Sequence, residues 1–209
     1  MIVFHHRSLL LAFALLLSGC SILQPVSPLV LKEYRLESAS MAKSMVSSPS
    51  SVSIEISTIR AVPELDGRHM LYVQHPYQIE RYQQSEWQQK PASMLMPLVM
   101  AALEGSGLFQ VVLHSPNPIN VTYRLELELV QLEQEFTVHP SLIHLGLRAY
   151  FTENKSRTIV AWQEFNVTQA APTEDAYGGV IASRLATTEV LRQLVEFCRS
   201  HLRQTMATP

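Results

Sequence analysis

Catalytic chemistry in this chain would have to come from its histidines, serines or paired carboxylates. None of the eight histidines falls in a His-Glu-x-x-His pattern or shares a short span with cysteine ligands, so no metal or cofactor is expected. His139 and His144 are five residues apart around Pro140, a spacing that suits neither a helix face nor one face of a strand. We therefore interpret both as structural or surface residues.

The serine arrangement also lacks the spacing of a hydrolase. Ser106 lies between Gly105 and Gly107, at the end of a helical pattern. A hydrolase nucleophile needs Gly-x-Ser-x-Gly between a strand and a following helix. We interpret Gly105-Ser106-Gly107 as a helix C-cap.

Two further patterns have structural interpretations. The glycine pair Gly178-Gly179 lacks the spacing of a phosphate-binding loop and is expected to allow close packing early in the last helix.

Two carboxylate pairs lie two residues apart on predicted strands, Glu126 with Glu128 and Glu133 with Glu135. This spacing is typical of a solvated polar face. The sequence therefore predicts no enzyme activity.

Cys20 is the residue with the clearest chemical role. His5, His6 and Arg7 precede an apolar run, Leu9 to Leu17, which is the layout of a secretory signal and is too short to span a bilayer. The tetrapeptide ending at Cys20 resembles the lipobox of bacterial lipoproteins, in which the cysteine is acylated. This resemblance predicts a signal peptide at 1–19, a lipidated cysteine and tether at 20–30, and one domain at 31–209. The same resemblance implies delivery to the outer membrane, because Ser21 follows the cysteine.

Composition excludes one class of partner. The net charge is −2 and no run of Lys or Arg stands out, whereas nucleic-acid binding needs clustered basic residues. Cys198 remains without a partner once Cys20 is acylated. It lies on an apolar stripe with helical spacing, so we expect a buried thiol.

Periodicity predicts strands first and a long helix last. Val52 to Ile56 alternates as a half-buried strand does, and a hairpin is expected in the region of His69 to Tyr82. A short helix is predicted within Pro91 to Leu103. Because proline is unfavourable inside a helix, the regular helix is expected to start near Met94 to Pro97 or to be kinked there. Further strands are predicted at Phe109 to Leu113, Val121 to Leu129 with a bulge at Val130 to Leu132, Leu145 to Phe151, and Thr158 to Thr168.

An amphipathic helix from about Thr173 to Leu202 ends the pattern. These elements show no βαβα alternation. The prediction is an α+β fold, an antiparallel sheet with the short helix and the long C-terminal helix packed on one face.

Three aromatic residues are candidates for a partner contact. Tyr77, Tyr82 and Trp87 lie in a glutamine-rich segment with Glu80 and Arg81, and Tyr, Trp and Arg are enriched among interface anchors. The alternative is that these rings cover the edge of the core. The sequence leaves both interpretations open.

Most of the chain from Cys20 onwards resembles the auxiliary lipoproteins of ABC-type transport systems, the PqiC-like family that accompanies MCE-domain proteins. The similar elements are the lipobox at Cys20, Tyr34-Arg35-Leu36, Val52 to Val62 followed by Pro63-Glu64-Leu65-Asp66, the segment from Tyr82 through Trp87 to Pro91, and Gly107-Leu108-Phe109. The resemblance implies a non-enzymatic lipoprotein, anchored on the periplasmic face of the outer membrane. It also implies docking to an MCE protein that spans the periplasm and carries lipids, with a homo-oligomeric ring as a reasonable expectation.

Two other functions stay open at this stage. An outer-membrane assembly lipoprotein, which inserts protein or lipopolysaccharide, has the same anchor and can have the same fold class. A periplasmic hydrolase would require a buried nucleophile and base. Neighbouring genes would distinguish the first alternative from the transport role.

Overall fold

The structure is a computed structural model that describes residues 30–38 and 51–207, with side chains as far as residue 202. Cys20 and the predicted signal and tether up to residue 29 lie outside the described residues. In chain order the elements are β1 (Lys32–Tyr34), β2 (Ser53–Ile56), β3 (Arg60–Ala61), a 3-10 turn (Pro63–Leu65), β4 (His69–His75), β5 (Gln78–Trp87), α1 (Pro91–Gly105), β6 (Val111–His114), β7 (Tyr123–Glu135), β8 (Leu142–Glu153), β9 (Thr158–Ala170) and α2 (Ala176–Ala207).

Three long strands form the centre of the fold. β8 pairs antiparallel with β7, and β9 pairs antiparallel with the other edge of β8. Leu125, Leu127 and Leu129 on one face of β7 are buried, because this face packs in the same core as α2. Phe197 of α2 makes edge-on ring contacts with Phe151 and Phe165 in that core. We call the opposite face of β7, β8 and β9 the outer face.

The second edge of β7 is covered by three short strands in succession. β2 pairs with the start of β7, β3 with its middle and β4 with its end, all in the parallel direction. The α+β prediction is confirmed, and the sheet is mixed because of these parallel pairs and that of β1 with β5. Parallel pairing between segments distant in sequence has no turn signal. The strand pattern alone therefore predicted an antiparallel sheet.

Burial of β2 differs from the half-buried prediction. β2 lies between β6 and β7, and Glu55 on its polar face is only 4% exposed. The Glu55 carboxylate accepts a hydrogen bond of 2.8 Å from Asn117 Nδ2, and it lies 3.5 Å from Arg124 Nη2. These partners compensate the burial of its charge.

The change of parity in β7 is a β-bulge, as predicted. Leu129 pairs with Leu147 and Gln131 with Gly146, so Val130 is an extra residue in β7. A Cβ atom on Gly146 would lie 2.8 Å from Val130 Cγ2. Glycine therefore permits the close approach of β8 to the bulge.

Helix α1 begins at Pro91. Of the two predicted alternatives, a regular start or a kink near Met94 to Pro97, the later start is therefore wrong. Proline is favourable at the first helical position, where its missing N–H is not needed. Pro97 lies inside the helix and leaves the carbonyl of Ser93 without its usual N–H donor. Both residues are exposed, so water can satisfy that carbonyl.

Helix α2 has a side-chain cap at its start. Asp175 Oδ1 accepts hydrogen bonds from Gly178 N at 2.8 Å and from Thr173 Oγ1 at 2.7 Å. These bonds, the first of them most, lower the pKa of Asp175. Further along, Cys198 is fully buried, which confirms the prediction, and burial raises its pKa to about 12.

Candidate functional site

The candidate catalytic residues of the sequence analysis are separated and have structural partners. Ser106 Oγ donates to Leu103 O at 2.6 Å and accepts from Leu108 N at 3.2 Å, which confirms the predicted C-cap. His144 Nε2 lies 2.7 Å from Glu135 Oε2 on the outer face. His139 Nδ1 lies 3.9 Å from Glu174 Oε2. No cluster of three His, Cys, Asp or Glu residues that could hold a metal occurs in the described residues.

The carboxylates of the outer face form ion pairs. Arg148 Nη1 lies 3.0 Å from Glu128 Oε2, and Arg148 Nη2 lies 2.7 Å from Glu164 Oε2. The hydrogen bond from Arg148 is the main reason why the pKa of Glu164 is lowered. Both carboxylates are held by one guanidinium, an arrangement that does not provide an acid beside a base.

The aromatic candidates Tyr77, Tyr82 and Trp87 belong to the β4–β5 hairpin and differ in exposure. The hairpin confirms the predicted turn around Pro76. Tyr77 is at its tip, fully exposed, with a φ of 67°. Tyr82 is half-buried, and Trp87 is only 3% exposed and belongs to the core cluster. The structure therefore separates the three along the hairpin, from a free ring at the tip to a core residue at the base.

Tyr82 attaches the hairpin to the rest of the fold through a polar cluster. Its hydroxyl donates to Gln134 Oε1 at 2.9 Å, and Gln134 Nε2 donates to Ser141 Oγ at 2.9 Å. Ser141 N in turn donates to Glu174 Oε1 at 3.0 Å. Burial, followed by smaller effects that include the charges of Asp175 and Glu174, raises the pKa of Tyr82. The hairpin thus rests on a neutral phenol within a hydrogen-bonded network.

The glycine pair at the start of α2 makes room for this cluster. A Cβ on Gly179 would lie 2.1 Å from Gln134 Oε1, and one on Gly178 would lie 2.0 Å from Thr173 O. Neither position can hold a side chain without displacement of its neighbours. The prediction of close packing at Gly178-Gly179 is confirmed.

An open groove lies beside the hairpin, over the bulge of β7. Its volume is about 430 Å³. Apolar lining residues include Leu71, Ile79 and Leu132, and Ile79 is 54% exposed. We call this cavity the hairpin groove. The sequence does not predict this cavity, because its only local signal is the change of parity at Val130.

The rim of the hairpin groove is acidic. Glu64, Glu133 and Glu164 line it, with Arg148 as the cation. Arg148 is already paired with Glu164 and Glu128, so its charge is compensated. An aliphatic side chain next to a basic one would fit both the floor and the rim of this groove.

The described residues contain no helix with the length and apolar character that crossing a membrane requires.

Comparison with solved structures shows the same fold in other proteins. A crystal structure of a Xanthomonas campestris protein of the DUF330 family has a TM-score of 0.75 at 19% identity, and the match covers 85% of this chain and 100% of that one. A crystal structure of an uncharacterised protein has a TM-score of 0.64 at 9% identity, with 81% and 99% coverage. At these identities the likeness shows the fold alone. No match was found among curated protein sequences.

Comparison with family models identifies the chain more directly. Residues 34–195 match the model of the ABC-type transport auxiliary lipoprotein component. The matched range begins in β1 and ends in α2, so it includes the hairpin, the hairpin groove and the core of the sheet. The chain belongs to the ABC-type transport auxiliary lipoprotein component family.

Proposed function

We propose that this protein is an outer-membrane lipoprotein of an intermembrane lipid transport system, in which it docks the distal end of a periplasm-spanning MCE protein. Membership of the transport auxiliary family supports a role beside an ABC-type transporter. Acylation of Cys20 would hold the domain on the periplasmic face of the membrane, since more than one acyl chain gives lasting attachment. The role requires no catalysis.

The observation that carries the docking proposal is the exposure of the hairpin tip. Tyr77 is fully exposed, and Ile79, two residues further on, is 54% exposed and lines the hairpin groove. Aromatic rings that are free at the end of a fixed element are effective interface anchors, because few rotamers are lost on binding. Tyr82 and Trp87 would then act in docking by holding the hairpin in place.

The stability of the hairpin base fits this role. Tyr82 bonds to Gln134 of β7, and Arg68 forms ion pairs with Glu33 of β1 and Glu86 of β5. A Tyr72 ring lies 4.7 Å from the Tyr82 ring, between centroids. A contact surface held by several elements is pre-organised, which lowers the entropic cost of binding.

Co-purification of the full chain with the cognate MCE protein tests the docking proposal. Tyr77→Ala should weaken binding roughly 30-fold, the effect of losing an anchor worth about 2 kcal/mol. Ile119→Ala, which truncates an isoleucine that is 58% exposed and does not line the hairpin groove, is the matched control. Equal binding by wild type and Tyr77→Ala would contradict the proposed contact.

A second experiment separates anchoring from docking. A Cys20→Ser chain exported by a cleavable secretory signal should still bind the MCE protein but should leave the outer membrane. No binding in membranes that contain the MCE protein would refute the proposed function. The mass of the solubilised complex tests the further proposal that several copies form a ring around the MCE protein.

A further inference from the structure

A second cavity lies at the end of the sheet where the β8–β9 turn meets the start of β7. Its volume is about 650 Å³, and its lining includes Arg124, Lys155 and Arg157, with Glu126 as the acidic residue. It shares no lining residue with the hairpin groove. We call it the cationic cleft. Three cations face one carboxylate here, the reverse of the balance at the hairpin groove.

The cations of the cleft have unused capacity for an anionic ligand. Lys155 and Arg157 are exposed, and within the described part of the chain neither takes part in an ion pair or hydrogen bond. Arg124 Nη2 is 3.5 Å from Glu55 Oε1, but Arg124 Nε is inaccessible to solvent and lacks a hydrogen-bond acceptor in the same described residues. The Arg124 side chain as a whole is 43% exposed, so an anion in the cleft can approach the exposed part of its guanidinium.

Arg157 is held in an uncommon backbone conformation. Its φ is 54°, in the left-handed region that a residue with a long side chain rarely adopts. Such conformations concentrate at binding sites and tight turns. Here the conformation places Arg157 in the lining of the same cleft as Lys155.

Apolar side chains flank the cleft on the outer face. Arg124 pairs with Thr152, and Thr152 pairs with Ile159, while Tyr150 pairs with Trp162. Residues directly opposite each other on paired strands share a face. Ile159 is 56% exposed and Trp162 is 63% exposed, and the Trp162 ring stacks on Tyr150 at 6.5 Å between centroids.

We propose that the cationic cleft binds the phosphate groups of an anionic lipid surface, with Trp162 and Ile159 entering the interfacial layer beside them. Arginine and lysine are the usual ligands of phosphate oxygens. An indole prefers the boundary between apolar chains and headgroups, because its ring is apolar and its N–H needs a partner. A basic site next to exposed aromatic and aliphatic residues is the pattern of interfacial attachment. Membership of a lipoprotein family places the domain near such a surface.

Quenching of Trp162 fluorescence by brominated lipid tests this proposal on the full, acylated chain. The protein is reconstituted in vesicles of brominated phosphatidylcholine, with or without phosphatidylglycerol, so that the quencher is constant and only the lipid charge changes. Trp87 is buried and provides an unquenched background, which Trp162→Phe measures separately. No MCE protein is present, so the result is independent of the docking proposal.

The expected result is strong quenching in the anionic vesicles and little in the neutral ones. Each basic residue near an anionic membrane changes the docked-to-undocked ratio about fivefold. Lys155→Gln with Arg157→Gln should therefore lower that ratio roughly 25-fold. Arg81→Gln with Arg184→Gln removes the same charge from exposed positions outside the cleft and should leave the ratio unchanged. Molar salt should also reduce the quenching.

Three outcomes would overturn the proposal. Quenching that is equal in neutral and anionic vesicles would show that the cations do not recognise lipid charge. Equal effects of the two double variants would assign the loss to net charge alone. Tight binding of inorganic phosphate at the cleft without any quenching of Trp162 would identify a site for a soluble anion instead of a lipid surface.

Discussion

Gly179→Ala provides the sharpest test of how the hairpin is attached to the core. The new Cβ would lie 2.1 Å from Gln134 Oε1 and 2.9 Å from Gln134 Cδ, whereas ordinary contacts begin near 3.4 Å. The Gln134 amide would have to move by more than an ångström. This movement would break its bonds to Tyr82 and Ser141, because both are already at 2.9 Å.

The expected destabilisation combines three effects. Overpacking of a core site costs about 1–3 kcal/mol, and each of the two lost hydrogen bonds about 1 kcal/mol. The higher helix propensity of alanine returns about 1 kcal/mol. Gly179→Ala should therefore lower the free energy of unfolding by about 2–4 kcal/mol, and the melting temperature by about 5–15 °C for a chain of this size.

Thermal and urea unfolding of the full chain in detergent, followed by circular dichroism, measures this change. Gly105→Ala is the matched control, because no atom lies within 4 Å of its added Cβ and it also occupies a helix. It should change the stability by at most about 1 kcal/mol.

A double-mutant cycle identifies the cause. Gln134→Ala removes the group that the new Cβ would strike, so Gly179→Ala should cost nothing further in that background. If the two substitutions are additive, or if Gly179→Ala is as mild as Gly105→Ala, the steric explanation is wrong. In that case Gly179 would not be required for the contact between α2 and β7.

Three other predictions follow from burial and charge. Trp87→Ala should lower the free energy of unfolding by about 3–5 kcal/mol, as expected for a large ring in the core. Urea unfolding measures this loss, and a loss below about 1 kcal/mol would contradict the core position of Trp87. In a Cys20→Ser chain, the Cys198 thiol should react with a chromogenic disulfide only after unfolding, since burial raises its pKa to about 12. Reaction of the folded protein at the rate of a free thiol would refute this prediction. Hydrogen bonds from Arg192, and then from Gln193, lower the pKa of Glu189 from 4.5 to about 2. The ionised Glu189 therefore stabilises the fold fully above pH 4.5, and this stabilisation is lost as the pH falls towards 2. Arg192→Gln should flatten the dependence of the free energy of unfolding on pH in this range. Parallel pH profiles of the wild type and the variant would contradict the prediction.

The local sequence pattern was sufficient to predict much of the secondary structure. The alternation in β7, the bulge at Val130, the hairpin around Pro76 and the buried position of Cys198 all depend on neighbours a few residues away. Side-chain period and turn chemistry express such relations directly in the sequence. The C-cap at Ser106 follows from the same kind of local signal.

The partner candidates show where local pattern stops being informative. Tyr77, Tyr82 and Trp87 share a composition and a segment, yet one is free, one is half-buried and one is in the core. Their difference comes from strand pairing and from contacts with Gln134, which is far from the hairpin in sequence. No period within the segment contains that information.

Residue order along the chain thus accounts for the elements, the family resemblance and the expectation of an acylated Cys20. Tertiary structure alone produces the parallel placement of β2, β3 and β4 along β7, the acidic hairpin groove and the cationic cleft. Each of these features joins residues separated by tens of positions, and their juxtaposition depends on strand register and packing. A charge such as that of Arg124 or Glu164 therefore becomes part of a site only when the sheet has formed.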